Sequence, residues 1–266
     1  MSATARPALP RLLPGPVTLR WLVLGLVVLA WEAAPRLGWV PPVILAPPSA
    51  ALLAGIADFG TFARALAFTL GEIAVALLIA YGLGGVVGLV VGATPLLRAA
   101  LLPLLSSVYA VPFIVIYPVL TAWLGIGPAS KVWFAGFYGF FPVVLATVAG
   151  VQLVDRGLVL MARANGASRT QMAIEVIIPA ALPAVVSGLR IGGALTTIGV
   201  VVAEMLAATD GIGFLITQNR TMFRTPEVYF GILLVLALAG TLDTIIGRIE
   251  RRASRWRPQP EGIGHG

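Results

Sequence analysis

The chain of 266 residues is 59% hydrophobic and only 11% charged, with a mean hydropathy of +0.97. Soluble domains are about 45–50% apolar and about 25% charged, so a soluble enzyme, a DNA-binding domain and a disordered regulator are excluded. The composition reads as an integral membrane protein, and the net charge of +7 belongs at the ends of spans beside anionic lipid rather than on nucleic acid.

Six apolar stretches of roughly 20 residues fit within this length. The first is the run Trp21 to Trp31, preceded by Arg6, Arg11 and Arg20. A basic start before a short apolar run also describes a signal peptide. The lack of a clean small-x-small site, with Glu32 and Pro35 at the exit, favours an uncleaved helix. Residues 35–60 are Pro-rich and read as an external loop with a short surface helix beginning near Ser49.

The second span covers about 64–93 and ends near Pro95. The third covers about 101–124 and contains Pro103, Pro112 and Pro118, before a turn at Gly125, Gly127 and Pro128. The fourth covers about 131–152 and is followed by a polar stretch over 153–180. The fifth covers about 183–207 and the sixth about 228–247, separated by a loop to Glu227. The expected fold is therefore all-α and polytopic, with about six transmembrane helices over residues 21–247. A tail over 1–20 precedes them and a basic tail over 248–266 follows.

Orientation comes from the basic residues. With both termini cytoplasmic, twelve of the 18 Lys and Arg lie inside. Arg36, Arg64, Lys131, Arg220 and Arg224 lie outside, and Arg190 sits within the fifth span. The positive-inside rule favours this arrangement, which makes 153–180 cytoplasmic.

Several chemistries are absent. There is no cysteine, so there is no disulfide, thiolate nucleophile or Cys-ligated metal. The single histidine, His265, is penultimate, and the sole lysine, Lys131, precedes Val132. Neither a Ser–His or Cys–His pair in the membrane nor a G-x-x-x-x-G-K-[ST] phosphate loop exists. No catalytic, cofactor-binding or metal-ligating residue is expected, and the chain does not hydrolyse ATP through such a loop.

Small residues allow close backbone approach between helices in lipid. Gly84, Gly88 and Gly92 recur every four residues on the second span, and Gly188 and Gly192 repeat the spacing on the fifth. Packing within the bundle is favoured over a seam between two copies. No internal repeat stands out, which counts mildly against secondary transporters built from repeated halves.

The cytoplasmic stretch carries helix punctuation. Asp155 can cap a short helix over about 156–165, and Gly166 breaks it. Ser168 with Gln171 has the form of a capping box, so a second helix starts at Arg169. Met172, Ala173, Val176 and Ile177 form its apolar stripe, flanked by Arg169, Gln171 and Glu175. Pro179 and Pro183 are expected to end it before the fifth span. The residues alone leave open whether this helix lies on the bilayer or docks a protein.

The stretch from Gly166 to Pro183 resembles the "EAA" loop of ABC-importer permeases. Gly166, Val176, Ile178 and Pro179 fall at the matching spacing, while Leu160, Met161 and Ala162 occupy the Glu-Ala-Ala positions, so the acidic residue is missing. Trp31-Glu32, Pro47-Pro48-Ser49, the segment from Trp123 to Lys131 and the segment from Ala203 to Ile216 resemble nitrate/sulfonate/taurine-type permeases. The resemblance spans about residues 25–250. It implies a plasma-membrane permease that works as a pair, with ATP bound by separate cytoplasmic ATPase subunits. An external binding protein would deliver a small, anionic solute. The 166–179 helix would be the coupling helix, with Met172 and Val176 as apolar anchors and Arg169 and Glu175 setting electrostatic fit.

A charge at a helix centre costs roughly 2.5–3.5 kcal/mol on insertion scales, so intramembrane charges require explanation. Arg190 is close enough to the cytoplasmic surface to snorkel, or it attracts an anion leaving the pore. Glu72 lies near the outer third of the second span, Glu204 near the outer end of the fifth and Asp243 near the inner end of the sixth, where interfacial or paired charges are the ordinary reading, and Glu204 is the strongest candidate for the pathway. Tyr109, Phe113 and Tyr117 recur every four residues beside Pro112 and Pro118, making this face the first guess for the translocation path. A stand-alone carrier driven by an ion gradient is the competing function. It would need paired charges at the membrane centre or matched broken helices, and neither is evident in the sequence.

Overall fold

The computed structural model describes residues 15–253. Arg6, Arg11, Arg255, Arg257 and His265 lie outside them. The described chain is all helical. Its elements are α1 (Pro16–Arg36), α2 (Pro48–Ala57), α3 (Phe59–Ala93), α4 (Pro95–Tyr109) and α5 (Tyr117–Leu124), followed by α6 (Pro128–Gln152) and α7 (Arg156–Ala164). The remainder are α8 (Arg169–Gln171), α9 (Ile178–Leu206), α10 (Ile212–Thr221) and α11 (Thr225–Ala253). Proline opens several of them, at Pro16, Pro48, Pro95 and Pro128, where its missing N–H and fixed φ cost least.

By length and apolar composition, five described helices can cross a membrane, and six if one bent pair is a single span. The bent pair is the expected third span. α4 and the segment Phe113–Leu124 meet at 85° around residues 110–112, so no straight helix runs over 101–124. Pro112 lacks the N–H that would continue α4, and a 3₁₀ turn over Phe113–Ile116 starts the chain in a new direction.

The fifth span departs from expectation in the opposite sense. Pro179 and Pro183 do not end the cytoplasmic helix, and one helical rod runs from Arg169 to Leu206 over 38 residues. A π-helical stretch over Met172–Ile177 precedes Pro179. The wider turn absorbs the register that a proline ring and its missing N–H would otherwise break.

α6 is the axis of the bundle, packed between α3 and α9. Val143, Val144 and Val148 on it are fully buried. The glycines of α3 face it: a Cβ on Gly84 would meet Val143, one on Gly88 would meet Thr147 and one on Gly92 would meet Val151. From the other side, Gly188 abuts Ala146, and Gly192 abuts Val143 and the Gly139 carbonyl. Both glycine rows therefore face the same helix inside one chain, where small side chains let backbones approach.

α1 stands apart, with none of its apolar window buried. It is tied down at one end only. Trp31 Nε1 donates to the Ala46 carbonyl at 3.0 Å. Glu32 accepts from the Ser49 hydroxyl at 2.6 Å and pairs with Arg36 at 2.6 Å. α2 then lies on α11, where Thr225 and Tyr229 hydroxyls donate to the Val43 and Ile44 carbonyls at 2.8 and 3.0 Å.

Candidate functional site

The segment between α6 and α9 is a built corner. Asp155 Oδ1 accepts from the Gly157 N–H at 2.7 Å and starts α7. At the other end, the Gly166 and Ala167 N–H groups reach back to the Arg163 and Ala162 carbonyls, both at 3.0 Å. That pair of bonds is a Schellman closure, and it requires the left-handed backbone that Gly166 supplies at φ +76°. Ser168 then caps α8 reciprocally. Its hydroxyl accepts from the Gln171 N–H at 3.2 Å, and its own N–H donates to Gln171 Oε1 at 2.9 Å.

The faces of this corner differ from the sequence reading in one respect. Met172, Ala173, Val176 and Ile177 are half-buried against the protein itself, so the apolar stripe is not the outward face. Arg169, Gln171 and Glu175 are exposed, and Ile174 stands out at 59% exposure. Leu160 and Met161, at the positions where the resemblance calls for Glu-Ala, are exposed at 63% and 64%. The outward surface of the corner is thus more apolar than the stripe alone implied, with Ile174, Leu160 and Met161 on it. Pro179 sits where the corner passes into α9.

The opposite region of the bundle holds a buried polar cluster. Lys131 Nζ lies 2.5 Å from Glu72 Oε1, with both side chains at most 7% exposed. Glu204 Oε1 accepts from the Thr69 hydroxyl at 2.8 Å, and Oε2 accepts from the Gly213 N–H at 2.8 Å. The Thr69 oxygen also accepts from the Ile212 N–H at 2.9 Å. Glu204 and Thr69 therefore satisfy the first N–H groups of α10, where a carboxylate is favoured by the helix dipole. Gly211 opens the turn at φ +107°, and a Cβ there would collide with the Glu204 carboxylate.

This geometry makes Glu204 a strut that holds α10 to α3 and α9, not a group facing an opening. The Lys131–Glu72 pair was missed by sequence reasoning, which counted Lys131 as an external surface charge. The available signal was the sole lysine at the outer end of the fourth span, on the same side of the membrane as Glu72 in the outer third of the second.

The aromatic face is also re-placed. The bend at 110–112 removes Tyr109, Phe113 and Tyr117 from a common helix. Phe113 and Tyr117 are buried, and Phe113 stacks on Phe134 and Tyr138. The Tyr117 ring lies 5.0 Å from Phe134, and its hydroxyl donates to the Ala207 carbonyl at 3.1 Å. These two residues are core; Tyr109 alone is exposed. Arg190 is paired rather than free. Its Nε and NH2 donate to the two Asp243 oxygens at 2.7 and 2.9 Å, and NH1 reaches Glu250 at 3.4 Å.

A multi-span helical bundle with a capped, outward-facing corner that runs on into one span is the form of a membrane permease subunit. Residues 80–255 match the family model described as "Binding-protein-dependent transport system inner membrane component", and the chain belongs to that family. It is the permease of an ABC importer. The taurine transport system permease protein TauC of Escherichia coli (strain K12) is 33% identical over 247 residues, covering 90% of each chain. The putative aliphatic sulfonates transport permease protein SsuC of Bacillus subtilis (strain 168) is 29% identical over 256 residues, covering 92% of this chain and 90% of that one. The fold is shared with an inward-facing structure of the MetNI methionine ABC transporter, at TM-score 0.64 and 19% identity, covering 73% of this chain and 96% of the other.

Proposed function

We propose that this permease carries a small anion of the sulfonate class across a bacterial inner membrane, with both termini cytoplasmic. It works as a pair of identical copies, receives solute from an external binding protein and is driven by separate cytoplasmic ATPase subunits. The chain itself binds no cofactor. Taurine and aliphatic sulfonates are the solutes named for its relatives, and the excess of arginine on the α7 side supports the orientation. Every residue of α4 is at least partly exposed, which suits a second copy or lipid against it.

The observation that carries the mechanism is the unbroken rod from Arg169 to Leu206. Its first turns belong to the exposed corner, and its last turn holds Glu204 of the buried cluster. At 1.5 Å per residue its α-helical part, the 29 residues of α9, is about 44 Å long. A partner that displaces the corner would move α9 as a lever, and the Glu204 strut would carry that motion to α10. This is rigid-body switching with its bias set outside the chain.

The test is purification of the tagged chain from its own membrane, followed by uptake into vesicles. A stoichiometric P-loop ATPase that is lost on Ile174→Asp, together with ATP-dependent uptake of a sulfonate, is the expected result. Uptake that follows an ion gradient without ATP would make the stand-alone carrier correct instead.

A further inference from the structure

Behind the corner, between α7 and the membrane end of the bundle, lies a cavity of about 1030 Å³. Four arginines line it: Arg98 from α4, Arg156 and Arg163 from α7, and Arg169 from α8. No Asp or Glu is among its described lining residues. None of the four arginines forms an ion pair with a described residue. Asp155, the nearest acid in sequence, is occupied in capping α7, and Glu175 lies on the exposed side of the arm.

The positive-inside rule accounts for arginines on this side of the membrane but not for their convergence on one cavity. Arg156 and Arg163 are two turns apart on α7 and so share a face, with Val159 between them also lining the cavity. Arg98 is held in place by donating to the Gly92 carbonyl at 2.9 Å, which leaves its other donors available. Unpaired like charges around one space repel each other and attract an anion that several guanidinium forks can bind bidentately.

We propose that this cavity binds a phosphate group, carried either by soluble phosphate or by the headgroup of an anionic phospholipid. The ligand braces the arm against the bundle. The inference concerns binding alone and holds whichever solute the permease carries, so its failure and that of the transport reading are separable.

The probe is thermal unfolding of the full chain in nanodiscs. Phosphate is titrated in phosphatidylcholine discs against chloride of equal ionic strength, and phosphatidylglycerol discs are tested without phosphate. Arg156→Gln/Arg163→Gln is compared with Arg251→Gln/Arg252→Gln, which removes the same charge from the end of α11. A saturable rise with phosphate, its half-point shifted at least about tenfold in the α7 variant only, assigns soluble phosphate. A rise in phosphatidylglycerol discs alone, lost in the α7 variant only, assigns the lipid headgroup. No response, or equal loss in both variants, overturns the site. Should the double variant fail to fold, Arg163→Gln alone, an exposed side chain, gives the same comparison with a smaller shift.

Discussion

The ammonium of Lys131 lies 2.5 Å from the carboxylate of Glu72, inside the protein, tying the first turn of α6 to α3. Breaking a buried pair from one side leaves an uncompensated charge, whereas removing both partners together is often neutral. Lys131→Met should therefore destabilise by about 3–5 kcal/mol. The double change Lys131→Met/Glu72→Leu should recover most of that loss. Denaturation of the purified protein measures both, and equal destabilisation in the single and double variants would show that the pair is not coupled.

Thr69 bridges two elements through one hydroxyl, donating to Glu204 and accepting from the Ile212 N–H. Thr69→Val strands a carboxylate oxygen and a helix N-terminal N–H, at a cost of about 1–3 kcal/mol. Thr197, equally buried, donates only to the Gly193 carbonyl of its own helix. Thr197→Val should cost under about 1 kcal/mol, since no partner is left without a bond. Comparable losses in the two variants would mean that α10 is not held through Thr69.

The glycine rows make a positional prediction. A Cβ on Gly88 would sit 3.0 Å from the Val144 carbonyl oxygen and closer still to Thr147, while Gly82 has open space around it. Gly88→Val should separate α3 from α6 at a cost of about 1–3 kcal/mol or more. Gly82→Ala should be neutral or slightly stabilising, because alanine is the better helix former. Thermal midpoints that fall alike in both would place the close contact elsewhere.

Arg190 and Asp243 should behave as a pair rather than as an anion lure. Both side chains are about half exposed, at 45% and 53%, so the pair is worth only about 0–1 kcal/mol to stability. Its weight is in joining α9 to α11. Arg190→Asp should reduce uptake, and the swap Arg190→Asp/Asp243→Arg should restore it. Failure of the swap with folding intact would return Arg190 to the role of attracting the solute.

Much of this protein was legible in one dimension. Apolar run length made an all-helical, multi-span fold legible, because in lipid each helix must satisfy its own backbone bonds locally. The Asp155 cap, the Gly166 break and the Ser168–Gln171 box were readable for the same reason, since caps are set by residues within a few positions of one another. The glycine spacing on α3 and α9 was visible, but the common partner of both rows, α6, was not.

What only the tertiary structure decided depends on partners distant in sequence. The Lys131–Glu72 pair, the clasp of Glu204 with Thr69 across 135 positions and the burial of Phe113 and Tyr117 arise from packing between helices. Local sequence carries no record of such contacts. The unbroken passage through Pro179 and the 85° bend near Pro112 make the same point in opposite directions. Inside a helix a proline removes one hydrogen bond and forces one clash; whether the helix widens a turn to continue or swings aside is set by the neighbours it must pack against.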